Sequence, residues 1–83
     1  MLTVDSRARI EKGNKTYAKG IIVRISKIEY LGATYSHAVK IVLVHAGKSK
    51  TFYARHPNRL WDEIVNLGDG TGSSGIKVKA LHA

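Results

Sequence analysis

Apolar residues in this chain recur at every second position, in short bursts separated by turn-forming clusters. A period of two puts successive side chains on opposite faces of a strand, so the pattern implies half-buried β structure. In the first burst Val4, Ser6, Ala8 and Ile10 point one way, while Asp5, Arg7, Arg9 and Glu11 point the other. It ends in the turn chemistry of Lys12-Gly13-Asn14-Lys15. A second strand begins near Lys19-Gly20. Ile21, Val23 and Ile25 share one phase, and Ile28 and Tyr30 share the other. A slip of phase near Ser26 predicts a bulge or sharp bend, the device by which a strand turns a barrel corner. Leu31-Gly32-Ala33-Thr34 then turns the chain. The third strand, Ala38 to His45, is β-branched and nearly all apolar, which predicts a central position. Ala46-Gly47-Lys48-Ser49 reads as a hairpin turn. Lys50 to Arg55 read as a fourth strand, with Phe52 and Ala54 opposite Tyr53 and Arg55.

His56-Pro57-Asn58 stops that strand. Asn58 is placed to cap a helix, and Asp62 and Glu63 sit where a helix N-terminus favours negative charge. Leu60, Trp61, Ile64, Val65 and Leu67 make an amphipathic stripe, so the spacing predicts a short helix over 58–67. Gly68 to Gly75 read as a loop. A last strand follows, with Ile76, Val78 and Ala80 alternating with Lys77, Lys79 and Leu81. The expected fold is therefore mostly β: five strands and one short helix before the last. This order resembles that of SH3-like small barrels. An OB-like barrel, with its helix between strands three and four, is the alternative.

At 83 residues the chain is expected to form one domain, residues 1–83, with a small core. It has no cysteine, which excludes disulfides, thiolate nucleophiles and Cys-ligated zinc. No run approaches a membrane span, and no basic segment precedes an apolar one at the N-terminus, so the expected location is cytoplasmic. Fourteen Lys and Arg against six Asp and Glu give a formal charge of +8. Such a charge on a small domain bears on partners rather than fold, and a polyanion gains counterion-release entropy on meeting it.

The segment from Arg9 to Val23 resembles a KOW motif, the first hairpin of SH3-like barrels in ribosomal proteins and transcription elongation factors. The likeness lies in Gly13, a basic loop, Gly20 seven residues on, and an apolar strand containing Ile22. Tyr17 stands where the motif usually carries a middle glycine. In such domains the loop often touches RNA or a polymerase subunit. The resemblance would give that role to Lys12, Asn14, Lys15 and Lys19.

The basic residues gather at turns and on two strands. Lys12, Lys15 and Lys19 lie in the first hairpin, and Lys48 and Lys50 in the third. Arg7 and Arg9 share the outer face of strand one, and Lys77 and Lys79 share a face of the last strand. Pairing of the first and last strands would merge these four into one patch. Like charges side by side on adjacent strands cost free energy unless something neutralises them. Asp5 and Glu11 are the carboxylates placed to do so internally. For base stacking the candidates are Tyr17, Tyr30, Tyr35 and Tyr53, with Tyr17 and Tyr35 in loops and Tyr53 beside Arg55. Trp61 and Phe52 fit apolar stripes and are expected in the core.

Other chemistry finds little support. Gly70 to Gly75 match G-x-G-x-x-G, but they follow the expected helix and open a strand, the reverse of a dinucleotide site. His37, His45, His56 and His82 lack ligand spacing, and the carboxylates are scattered. No metal, cofactor or catalytic group is expected, and the chain is read as a non-enzyme. The expected partner is nucleic acid, RNA or DNA, bound through the basic face. The alternative is an interaction module or accessory subunit, phage- or plasmid-encoded, on an acidic protein surface. That reading calls for an exposed apolar patch, for which Leu31, Leu81 and Trp61 are candidates. Pairing of strand edges between copies is a third option.

Overall fold

The computed structural model describes residues 2–32, 39–54, 64–68 and 75–81. These residues form six strands: β1 (Arg7–Lys12), β2 (Ile22–Tyr30), β3 (Val39–His45), β4 (Lys48–Ala54), β5 (Ile64–Leu67) and β6 (Ile76–Leu81). All pairings are antiparallel, in the order β4-β3-β2-β1-β6-β5. The two ends of that order meet through Tyr53 and Gly68, whose amides each donate to the other's carbonyl at 2.7 and 2.8 Å. The sheet is thus a nearly closed small barrel. Among the described residues there is no helix, and so none that is long and apolar enough to cross a membrane.

Alternation builds the core. Ala8 and Ile10, Val23 and Ile25, Val39, Ile41 and Leu43, Phe52 and Ala54, Leu67, and Ile76, Val78 and Ala80 are buried from their several strands. At about 25 cal/mol per Å² of apolar area removed from water, this shared interior is the main stabilising term of so small a chain. Ala8 faces Ala80 across β1 and β6, and both are buried. Small side chains at facing positions leave room for the larger residues around them, as a narrow barrel requires.

The slip expected near Ser26 is present: the β2–β3 register shifts between Ile25 and Lys27. Before the bulge Val23 and Ile25 face the core; beyond it Ile28 takes over that side. β3 is central, between β2 and β4, as its continuous apolar run implied. The third turn is tighter than expected. Only Ala46 and Gly47 form it, both at positive φ (52° and 76°), and Lys48 and Ser49 already belong to β4. This is the backbone twist that suits a two-residue hairpin.

Three expectations are corrected. The alternation of the first strand does not extend back to Val4, which is exposed; β1 starts at Arg7. A turn at residues 3–6, with Asp5 at φ 68° and its amide donating to the Ile25 carbonyl at 2.7 Å, redirects the chain and buries Leu2 instead. Second, residues 64–67 of the expected helix are strand β5, so the described residues form six strands rather than five. Pairing with β6 from Ile64↔Lys79 to Leu67↔Ile76 gives this segment inter-strand hydrogen bonds that a helix could not offer β6. The rest of the expected helix, with Trp61, lies outside the described residues, as does most of the glycine-rich loop. Third, Tyr17 lies in the core rather than on an exposed loop.

Candidate nucleic-acid interface

The first and last strands pair, and their register decides which charges meet. Arg9 lies opposite Lys79 and Lys12 opposite Lys77 across β1 and β6, while Arg7 lies opposite Arg24 across β1 and β2. These side chains share the outer face, because their neighbours Ala8, Ile10, Val23, Val78 and Ala80 point inward. Lys12 would be out of phase with Arg9, but a register shift between Ile10 and Lys12 brings it level with the outward Lys77. The result is a ladder of like-charged pairs spanning three adjacent strands, about 5 Å apart between strands and about 7 Å apart along them.

Two carboxylates sit within it. Glu11 accepts hydrogen bonds from Arg9 Nε at 3.1 Å and Nη2 at 2.7 Å. That hydrogen bonding holds the Glu11 carboxyl below its ordinary range against a smaller opposing effect of burial, and the charges of Arg9, Lys79 and Lys19 act in the same downward direction. Glu11 is therefore anionic at neutral pH and offsets part of the Arg9–Lys79 charge. Asp5 pairs with Arg24 at 3.2 Å on an exposed site, where such a contact contributes little. The Lys12–Lys77 pair has no ion-pair partner among the described residues. Its other cross-strand neighbour is the neutral Asn66.

The first hairpin loop is shaped from within. The Asn14 side-chain oxygen accepts from the amides of Thr16 (2.8 Å) and Tyr17 (3.1 Å), and the Asn14 amide donates to the Tyr17 carbonyl at 2.8 Å. This Asx-type turn tips the Tyr17 ring inward, where it lies 5.9 Å from Phe52 and edge-on to His45 at 6.2 Å. Gly13 permits it: a Cβ there would press on the Tyr17 carbonyl and stand 2.8 Å from the Lys19 amide nitrogen. With Tyr17 only 5% exposed, its ring is closed to stacking. Burial also pushes its phenol above its ordinary value of 10.0. Lys15 and Lys19 stay exposed on the loop beside the ladder.

Of the residues expected to act together, Arg7, Arg9, Lys12, Lys77 and Lys79 are assembled on one face, with Lys15 and Lys19 in the loop that follows β1. Lys48, Lys50 and Tyr53 lie on β4, beyond β2 and β3 in the sheet. Tyr53 is half-buried and faces outward, as expected. Tyr35 and Arg55 lie outside the described residues. Arg24 joins the face although the candidate residues did not include it; its signal was the phase of Val23 and Ile25, which puts Arg24 on the outside. Leu31 and Leu81 are half-buried, whereas Ile22 is 41% and Tyr30 57% exposed. Among the described residues no three His, Asp or Glu side chains group as metal ligands do. Comparison of the chain with protein-family models, with curated proteins and with solved structures found no match.

Proposed function

We propose that this protein binds nucleic acid without catalysing a reaction, through phosphate contacts from the outer face of β2, β1 and β6. The observation that supports this is the register itself: Arg7 against Arg24, Arg9 against Lys79, Lys12 against Lys77. Each directly opposed like-charge pair is destabilising by roughly 0.2–1 kcal/mol in the free protein. A polyanion lying across the ladder turns that repulsion into attraction and releases its own counterions. Phosphate contacts carry no sequence information, so the binding is expected to be weakly sequence-specific. With Tyr17 in the core, the contact set consists of cations: Arg7, Arg9, Lys12, Arg24, Lys77 and Lys79, joined by Lys15 and Lys19 from the loop.

The rival partner, an acidic protein surface, draws on one observation. Ile22 is exposed on β2 next to Arg24 and opposite Arg9. A salt series separates the two readings. Fluorescence anisotropy of labelled single- and double-stranded DNA and RNA should give micromolar or tighter binding near 0.15 M salt and a steep negative log–log slope. The combined Lys12→Ala and Lys77→Ala change should weaken binding to all sequences alike and reduce the slope by about 1–2. Binding that vanishes near 0.15 M salt, or a slope unaffected by these changes, would defeat the nucleic-acid reading in favour of a protein surface.

A further inference from the structure

Among the described residues, the open edge of β4 is hydrogen-bonded across the barrel seam by a single bridge, Tyr53 with Gly68, the residue that follows β5. The hairpin geometry shows which other groups point the same way. His45 and Lys48 flank the two-residue turn and exchange main-chain hydrogen bonds; Leu43 with Lys50 and Ile41 with Phe52 follow in the same alternation. The intervening residues Ser49, Thr51 and Tyr53 therefore turn their N–H and C=O groups away from β3. Tyr53 uses its pair on Gly68. Ser49 and Thr51 continue that row, both are exposed, and among the described residues no main-chain bond reaches them from that side.

We propose that the edge of β4 from Lys48 to Thr51 is a strand-addition site for an extended acidic peptide. Ser49 and Thr51 supply two donors and two acceptors, the main-chain ladder by which an added strand gains affinity. Lys48 and Lys50 alternate with them, both exposed, so the residues facing them on an added strand are favoured to be carboxylates. Charge also decides between occupants. A second copy of the chain, laid antiparallel on the same edge, sets lysine against lysine between two molecules of formal charge +8. The site lies on a different strand from the basic ladder, with β3 between β4 and β2 on one side and β5 between β4 and β6 on the other.

The test is a titration of the full ¹⁵N-labelled chain with an end-capped hexapeptide of alternating Glu and Val. The largest amide shifts are expected at Ser49 and Thr51, with slowed hydrogen exchange there. Thr51→Pro removes an edge N–H while leaving the β3 ladder intact, and should weaken binding about tenfold or more. Lys48→Glu combined with Lys50→Glu should weaken it as much, and decides the matter if the proline variant does not fold. Lys12→Ala with Lys77→Ala should leave peptide affinity unchanged, so this site stands or falls apart from the nucleic-acid face. Shifts on β1 and β6 instead, a folded Thr51→Pro chain that binds as before, or no binding at millimolar peptide would overturn the proposal. So would concentration-dependent broadening at Ser49 and Thr51 without peptide, which would give the edge to a second copy.

Discussion

Tyr17 turns a surface loop into part of the core. Its ring meets Phe52 and His45, and its backbone crowds Gly13 so closely that no side chain fits there. Gly13→Ala should therefore destabilise the chain by about 1–3 kcal/mol, as overpacking does, seen as a lower urea midpoint with an unchanged slope. The raised Tyr17 phenol carries a pH signature. Between pH 10 and its folded-state value the unfolded chain holds fewer protons than the folded one, so stability is full below pH 10 and falls as pH rises through that window. Urea unfolding at pH 8 and at pH 11 should show the loss, and Tyr17→Phe should make it smaller. Glu11 makes the opposite kind of statement. Held ionised by Arg9, it takes negative charge into a basic face, so Glu11→Gln should tighten nucleic-acid binding in the anisotropy assay. Unchanged or weaker binding would show that the ligand does not approach β1.

At the level of single elements, the β3–β4 hairpin carries a local strain. Ala46 adopts φ 52°, a left-handed conformation that costs an L-residue with a Cβ roughly 1–2 kcal/mol and that Asn tolerates better. Ala46→Asn is expected to stabilise by about 0.5–1 kcal/mol, raising the melting temperature by a few degrees in a domain of this size. A lower melting temperature would mean that the turn is held by something other than its own dihedrals. The bulge in β2 has a different purpose. It lets one strand contribute Val23 and Ile25 to the core before it and Ile28 after it, so β2 bends with the barrel while keeping an apolar inner face.

Across the whole molecule, stability and binding are set against one another on the basic face. Lys12→Glu exchanges the like-charged contact with Lys77 for an attractive one. We expect it to stabilise the chain by a few tenths of a kcal/mol up to about 1 kcal/mol and at the same time to weaken nucleic-acid binding. Chemical denaturation and anisotropy on the same variant check both halves. A variant that is less stable, or that binds as tightly as before, would remove the physical case for a polyanion. The trade-off follows from the order of the sheet, which sets the first and last strands side by side and so concentrates charges that are about seventy residues apart in sequence.

Much of this was legible in the residues. Period-two alternation located β1, β2, β4 and β6, a continuous β-branched apolar run located β3, the phase slip at Ser26 marked the bulge, and Ala46-Gly47 marked a hairpin, because each depends on a residue and its near neighbours. The merging of Arg7, Arg9, Lys77 and Lys79 was legible only once pairing of the ends was assumed. Tertiary structure decided the rest. Ile64, Val65 and Leu67 fit a helical stripe and an apolar strand segment about equally well, and hydrogen bonding to β6 settled the matter for the strand. Tyr17 looked exposed because its neighbours are polar, yet the Asx turn at Asn14 and the room left by Gly13 turned the ring toward Phe52. The facing of Lys12 with Lys77 depended on a bulge in β1 that no local pattern announces, since register belongs to a pair of strands and not to either strand alone.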